Sequence, residues 1–229
     1  MRHHPDAIMI FAAGFGTRMG ALTTDCPKPL IKVANVALID YALDIVSACE
    51  IKKTVVNTHY LPDMISHHLA GRNILLSHET EILETGGGLR HALPLLGSEP
   101  VFTMNTDAVW TGQNPLLTLA SAWDPENMDA LLLLIEPKNA RGHNGKGDFN
   151  IAGNGTLTRG PGLIYSGAQI IKTNLLHKIK HDCFSLNLLW DKMIKNSRAF
   201  GTVHNGNWCD VGTADGIIIA ETMLKESDV

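Results

Sequence analysis

The chain has 229 residues, of which 45% are hydrophobic, and its formal net charge is −4. A chain of this size can bury one sizeable core, so we expect a single α/β domain over residues 1–229. The charge provides no basic field for a nucleic acid or an anionic membrane. No apolar run approaches the roughly 20 residues of a membrane span, and the amino terminus lacks a signal-peptide pattern. The four cysteines are widely spaced and include no Cys-x-x-Cys pair, which indicates free thiols. We therefore predict a cytoplasmic protein.

The predicted elements begin with a buried strand, residues 8–13, that runs into a glycine loop. Glycine permits positive φ and lets backbone N–H groups approach a ligand without a Cβ in the way. The loop and the segment after it carry a set of groups suited to an anion: Gly14, Gly16, Thr17, Arg18 and Lys28. Lys28 stands between two prolines that restrict its backbone. This pattern predicts a site for a phosphate-rich ligand.

Two better-known phosphate loops fit these residues less well. The dinucleotide-binding fingerprint needs a small residue where Met19 stands, and an acidic residue where the next predicted strand ends at Asn57. A P-loop needs Gly-Lys followed by Ser or Thr, which is missing at this spacing. The sequence therefore disfavours a nicotinamide-binding protein and a P-loop protein.

Strands and helices then alternate. The apolar patterns predict helices over 38–49, 61–69, 85–96 and 115–123, and strands over 53–57, 74–77, 101–105 and 130–135. This alternation predicts right-handed crossovers and a mainly parallel sheet. Ligands bind beyond the carboxyl ends of such strands, so Asp107 should meet the glycine loop. Three consecutive glycines at 86–88 are costly in a helix and imply either a ligand or another protein segment close to the backbone.

The pattern changes after residue 138. Residues 138–162 are rich in Gly, Asn, Lys and Arg, with one short strand predicted at 148–152, which indicates an outer lobe of hairpins and loops. The remaining predicted elements are strands at 163–171 and 199–204, a helix at 187–194, a segment 207–211 that carries Asp210, and a closing helix that begins at Thr213. Asp210 is thus a second acidic residue next to a predicted strand.

The motifs Ala12-Ala13-Gly14-x-Gly16-Thr17-Arg18-Met19, Pro27-Lys28-Pro29-Leu30, Glu84-Thr85-Gly86-Gly87-Gly88, Asn105-Thr106-Asp107, Gly147-Asp148-Phe149 and Trp208 to Thr213 follow one another along the chain. In this order they resemble the sugar-1-phosphate nucleotidylyltransferases. The resemblance implies a Rossmann-like, mainly parallel mixed sheet flanked by helices, with a small sugar-side lobe of strands and loops and no carboxyl-terminal β-helix domain. Within this family the sequence is similar both to short enzymes that make UDP-N-acetylmuramic acid, a cell-wall precursor, and to mannose-1-phosphate guanylyltransferases.

The resemblance also implies a role for each matching residue. Arg18 and Lys28 would be catalytic, and Asp107 and Asp210 would bind Mg²⁺. The implied nucleotide contacts are Ala13, Gly14, Gly16, Thr17, Arg18, Glu79, Glu84 and Gly87. The implied sugar contacts are Asn105, Gly147, Ser166 and Gly167. The partners would be a nucleoside triphosphate and a sugar 1-phosphate, bound by a monomer or a small homo-oligomer.

Other interpretations of the same residues stay open at this point. Asp107 and Asp210 could cap a turn and a helix. Arg18 could form a surface salt bridge, and Lys28 could be a solvated surface charge in a loop. The chain departs from the family at Gly20-Ala21, at Thr106 and in lacking a sugar-gripping Glu-Lys-Pro segment, for which Arg159 is a candidate substitute. A non-catalytic regulatory subunit that binds a nucleotide sugar is the alternative of another class.

Overall fold

The computed structural model describes residues 5–97 and 100–227. The strands are β1 (Ala7–Phe11), β2 (Lys32–Val33), β3 (Val36–Ala37), β4 (Lys53–Thr58), β5 (Ile74–His78), β6 (Val101–Asn105), β7 (Ala108–Trp110), β8 (Ala130–Ile135), β9 (Ala140–Arg141), β10 (Phe149–Ile151), β11 (Leu157–Arg159), β12 (Ile164–Ile171), β13 (Ala199–Val203) and β14 (Trp208–Asp210). The helices are α1 (Leu38–Ser47), α2 (Pro62–His68), α3 (Glu84–Leu96), α4 (Pro115–Ala122), α5 (Asn187–Lys195) and α6 (Ala214–Ser227). Short 3-10 helices cover Thr17–Thr23, Lys28–Leu30, Pro137–Asn139 and Leu176–Lys178.

A seven-stranded sheet in the order β13-β8-β12-β6-β1-β4-β5 forms the centre of the molecule. Every neighbouring pair is parallel except the two pairs made by β12, which runs antiparallel to β6 and to β8. The prediction of a mainly parallel mixed sheet flanked by helices is confirmed. The carboxyl ends of β1, β4 and β6 therefore meet at one edge.

Helices cover both faces of this sheet because their apolar residues recur at helical spacing. In α1, the stripe of Leu38, Ile39, Ala42, Leu43 and Val46 is buried. α1, α2 and α4 contribute to the apolar layer on one face, and α3 and α5 contribute to the layer on the other. Strand β8, which lies between β13 and β12, is buried at every residue, as expected for a strand covered on both sides.

A small three-stranded sheet, β7-β14-β9, lies beside the main sheet, and β10 and β11 form a hairpin. The sequence analysis missed β7 and was wrong to expect only one strand between residues 138 and 162, where the structure has β9, β10 and β11. These strands have two or three residues each, too few for a periodic pattern. Within the described ranges, no helix has the length and apolar character needed to cross a membrane.

Candidate active site

A cavity of about 320 Å³ opens at the carboxyl edge of β1, β4 and β6. The predicted site residues that line it are Ala13, Gly14, Gly16, Thr17, Arg18, Lys28, Glu79, Glu84, Asn105 and Asp107. Asn57, Thr106 and Gly212 line it as well. The structure thus brings together residues that are distant in the sequence, as the position of ligand sites in open α/β sheets predicts.

The glycine loop owes its shape to Gly16. This residue has a φ of 66°, and a Cβ placed on it would lie 2.8 Å from the Cβ of Lys28. An L-residue would be strained there and would also collide with the lysine. At Gly14, by contrast, a Cβ would meet no atom within 4 Å. Gly16 therefore packs against the protein, and Gly14 leaves space on the cavity side.

Lys28 and Asp107 form an ion pair inside this cavity. Lys28 Nζ lies 2.8 Å from Asp107 Oδ2, and the side chains are 12% and 30% exposed. Pro27 has an extended backbone, and a short 3-10 helix begins at Lys28, which directs the lysine inward. The interpretation of Lys28 as a solvated surface charge is therefore wrong. A charge-assisted hydrogen bond of this length is among the stronger polar contacts in proteins.

Asp210 lies close to the same pair. β14 pairs antiparallel with β7, so that Asp210 faces Ala108, and the N–H of Val211 donates to the carbonyl of Asp107 over 2.8 Å. Burial, and then the negative charge of Asp107, raise the pKa of Asp210 above the ordinary aspartate value, while nearby cations oppose this shift. Asp210 is not among the residues that line the cavity, but its carboxylate lies near enough to that of Asp107 for the two charges to repel each other.

Arg18 and His143 also approach Asp210. Arg18 Nη1 lies 3.9 Å from Asp210 Oδ2, and the Arg18 side chain is 64% exposed. A separation this long makes a weak ion pair, so the guanidinium remains accessible from the cavity. His143, to which the sequence analysis gave no role, is near enough to lower the pKa of Asp210.

A divalent ion fits this arrangement only together with a ligand. The described residues contain no cluster of three or more His, Cys, Asp or Glu side chains that could hold a metal ion. Mg²⁺, however, is commonly bound by one or two carboxylates and completes its shell with phosphate oxygens and waters. Asp107 and Asp210, whose charges repel each other, would provide such a partial shell. Their assignment as Mg²⁺ ligands stays a prediction.

Glu79 is buried and joins three segments of the site. Its carboxylate accepts hydrogen bonds from Asn57 Nδ2 at 2.7 Å and from the N–H of Leu83 at 3.1 Å. Asn57 Oδ1 in turn accepts from the N–H of Ala12 at 2.7 Å. These bonds connect the end of β1 to the turn before α3. The sequence analysis missed Asn57 as a site residue, although its position at the end of a predicted strand is a usable signal.

The three glycines of α3 pack against protein. A Cβ on Gly86 would meet the ring of Phe184, one on Gly87 would meet the carbonyl of Asp182, and one on Gly88 would meet the Glu79 carboxylate. The N–H groups of Gly86 and Gly87 both donate to the carbonyl of Phe184. Close packing against other protein segments, the second explanation left open above, accounts for all three glycines. A nucleotide contact of Gly87 stays a prediction, and Gly87 is not among the cavity-lining residues.

Of the four predicted sugar contacts, Asn105 lines the cavity, whereas Gly147, Ser166 and Gly167 are not among its lining residues. Ser166 is buried, and its hydroxyl donates to the carbonyl of Leu133 at 2.7 Å. Gly167 has a φ of 87° and packs against the Asn105 side chain, whereas Gly147 packs against Gly162. These positions shape the irregular part of β12 and the outer lobe. Direct sugar contacts by Gly147, Ser166 and Gly167 stay predictions.

Arg159, the candidate substitute cation, is already engaged by protein groups. Its guanidinium donates to Asp191 Oδ1 at 2.9 Å and to Asn187 Oδ1 at 2.7 Å. It also lies 4.7 Å from the centre of the Phe149 ring, a cation–π distance. These contacts fix the β10–β11 hairpin against α5, and they give no support to a role of Arg159 in gripping the sugar.

Comparison with known proteins gives consistent results. Residues 8–144 match the family described as "MobA-like NTP transferase domain". The chain is 37% identical to N-acetylmuramate alpha-1-phosphate uridylyltransferase of Caulobacter vibrioides, over 99% of this chain and 100% of that protein. It is 27% identical to mannose-1-phosphate guanyltransferase of Gibberella zeae, over 89% of this chain and 60% of that protein.

The fold also matches a solved structure, that of HddC from Yersinia pseudotuberculosis complexed with GMP-PN. The TM-score is 0.74 and the sequence identity 21%, over 95% of this chain and 99% of that one. This likeness concerns the fold alone.

Proposed function

Because the chain belongs to the MobA-like NTP transferase family, we propose that it transfers the uridylyl group of UTP to N-acetylmuramic acid 1-phosphate. The products would be UDP-N-acetylmuramic acid and pyrophosphate. The choice of substrates is supported by 37% identity over 99% of the chain to a protein named for this reaction. The four cysteines are free, which agrees with a reducing cytoplasm as the proposed location.

The observation that carries the proposal is the 2.8 Å ion pair between Lys28 and Asp107 in the glycine-loop cavity, which Arg18 also lines and near which Asp210 lies. A nucleotidyl transfer needs no enzymic nucleophile. An oxygen of the sugar phosphate forms the new bond to the α-phosphorus, and the bond from that phosphorus to the pyrophosphate oxygen breaks. The protein has to align two polyanions that repel each other, and this site contains the cations needed for that.

Each residue has a distinct part in this alignment. The free side of the glycine loop offers backbone N–H groups to the triphosphate, and the planar guanidinium of Arg18 can hold two phosphate oxygens. Lys28 has three N–H donors, so its bond to Asp107 leaves two for the phosphoryl group in transfer. Mg²⁺ held by Asp107 and Asp210 would polarise the α-phosphate and stabilise charge on the leaving pyrophosphate. Preorganised positive charge of this kind lowers the barrier most where negative charge develops.

Guanylyl transfer to mannose 1-phosphate is the second candidate, favoured by the match to a mannose-1-phosphate guanyltransferase over 89% of the chain. A non-catalytic regulatory subunit is less well supported, because a sensor has no need to keep Arg18, Lys28, Asp107 and Asp210 together.

A pyrophosphate-release assay tests the proposal. UTP, GTP and dTTP are each paired with N-acetylmuramic acid 1-phosphate, N-acetylglucosamine 1-phosphate and mannose 1-phosphate, with Mg²⁺ and then with EDTA. We expect release with UTP and N-acetylmuramic acid 1-phosphate in Mg²⁺, and loss of release in the Asp107→Asn variant although that variant still folds and melts cooperatively. Preferred use of GTP and mannose 1-phosphate would support the second candidate. Absence of release with all nine pairs would support the regulatory subunit.

A further inference from the structure

The segment that carries Arg18 has few internal contacts that stabilise its conformation. It is the 3-10 helix Thr17–Thr23, which has no side-chain cap and is interrupted at Gly20, where φ is 59° and ψ is −131°. A 3-10 helix has poorer hydrogen-bond geometry than an α-helix and is seldom stable at length. Only Met19 and Thr23 of the segment are buried. The position of the Arg18 guanidinium must therefore depend on contacts from outside the segment.

Tyr60, in the turn after β4, provides such a contact at the carboxyl end of the segment. Its hydroxyl lies 2.7 Å from the carbonyl oxygen of Thr24 and 3.0 Å from that of Thr23. The Thr23 hydroxyl then donates back to the carbonyl of Gly16 at 3.1 Å. Tyr60 thus holds the end of the Arg18 segment, and through Thr23 it is connected to the glycine loop.

The amino-terminal side of the segment is held by the same turn. Phe15, at the tip of the glycine loop, is 47% exposed. Its ring lies edge-on to His59 and Tyr60, with centroid distances of 5.4 and 5.6 Å, a favourable arrangement for aromatic pairs. His59 is itself fixed by a 2.9 Å hydrogen bond from Nδ1 to the carbonyl of Glu79. The turn His59–Tyr60 therefore contacts both ends of the loop and segment that contain Arg18.

We propose that Tyr60 is a positioning residue for the triphosphate: its hydroxyl fixes the Thr17–Thr23 segment and thereby the Arg18 guanidinium. Tyr60 is not among the residues that line the cavity, so it acts through Arg18 without touching the substrate. This inference rests on the proposed triphosphate site. Losing one net hydrogen bond should weaken the binding of UTP with Mg²⁺ by about fivefold and leave the binding of the sugar phosphate unchanged.

Titration calorimetry of UTP with Mg²⁺ on Tyr60→Phe tests this inference, and Tyr41→Phe is the matched control. The Tyr41 hydroxyl also donates to a backbone carbonyl, that of Val33 at 2.9 Å, and it lies outside the cavity lining. We expect both variants to lose similar thermal stability, and only Tyr60→Phe to bind UTP about fivefold more weakly. In turnover assays, KM for UTP should rise while KM for the sugar phosphate stays constant.

A double-mutant cycle separates positioning from general destabilisation. If Tyr60 acts through Arg18, Tyr60→Phe should have no further effect on UTP affinity in the Arg18→Ala background. An equal loss in both backgrounds, or an unchanged affinity of Tyr60→Phe, would overturn the inference and leave the proposed function intact. Failure of the wild-type protein to bind either UTP or GTP would overturn both.

Discussion

Glu84 has a strained backbone at the edge of the cavity, and the strain can be measured. Its φ is 56°, in the left-handed region that residues with a Cβ rarely adopt. It lines the cavity, and among the described residues its carboxylate has no hydrogen-bond or ion-pair partner. Strained residues of this kind are concentrated at functional sites. We predict that replacing Glu84 removes a nucleotide contact. We also predict that the difference in stability between the Glu84→Gly and Glu84→Ala variants reports the backbone strain.

The comparison of Glu84→Gly with Glu84→Ala isolates the backbone, since both variants lack the carboxylate. Left-handed backbone costs about 1–2 kcal/mol for a residue with a Cβ. Glycine avoids this cost. However, glycine gives the unfolded chain more conformational freedom than alanine does, which lowers the free energy of unfolding by about 0.4–1 kcal/mol. The Gly variant should therefore be more stable than the Ala variant by about 1 kcal/mol, or about 2–4 °C in Tm for a protein of this size. In a helix interior the order is the reverse.

Differential scanning calorimetry measures the stability difference, and steady-state kinetics measure KM for UTP. The control pair is Ser197→Gly and Ser197→Ala, since Ser197 has a φ of 54° and lies outside the site cavity. It should give the same order of stability and unchanged kinetics. If Glu84→Ala is at least as stable as Glu84→Gly, the argument from strain is refuted. If neither variant raises KM for UTP, Glu84 does not contact the nucleotide.

Three further predictions follow from charge and burial. Lys28→Met leaves Asp107 without its partner, so we expect kcat to fall about 100-fold and the free energy of unfolding to drop by about 1–3 kcal/mol in denaturant titrations; retained turnover would remove Lys28 from the site. Because the pKa of Asp210 is raised in the folded state, its ionised form opposes folding above that pKa. Asp210→Asn should therefore raise the Tm of the metal-free protein at neutral pH, by an amount that shrinks as pH falls through the folded-state pKa; a lowered Tm at neutral pH contradicts this. Burial raises the pKa of the Cys209 thiol to about 12, and Cys183 is exposed, so a thiol reagent should label Cys183 in the native protein and Cys209 only after unfolding, as peptide mapping can determine.

The main sheet could be predicted because its strands are apolar runs between amphipathic helices. β8 and β12, for example, are long and almost wholly buried. The short strands β7 and β9 could not, because both pair with β14, which is distant from them in sequence. β11 pairs with the neighbouring β10, but its three residues are too few for a periodic pattern. The reversed direction of β12 also escapes local analysis, since an apolar run has the same pattern in either direction.

The candidate site divides in a similar way. The glycine loop, Arg18, Lys28 and Asp107 are recognisable from local patterns, and the cavity brings them together. The sequence could not indicate which buried polar groups form hydrogen bonds with one another. The hydrogen bonds that join Glu79 to Asn57 and Asn57 to Ala12 depend on three segments meeting in the fold. The close contact of Gly87 with Asp182 likewise joins residues far apart in the chain.

The position of β12 limits how this polypeptide can be shortened. The family match ends at residue 144, yet β12 comes later and lies between β6 and β8 in the main sheet. A fragment ending at residue 144 would contain the glycine loop and the Lys28–Asp107 pair but would leave β6 and β8 with bare edges facing a gap. Bare edges of this kind recruit other chains and promote aggregation. The part of the sequence that matches the family model, residues 8–144, is thus not a unit that can be expressed separately.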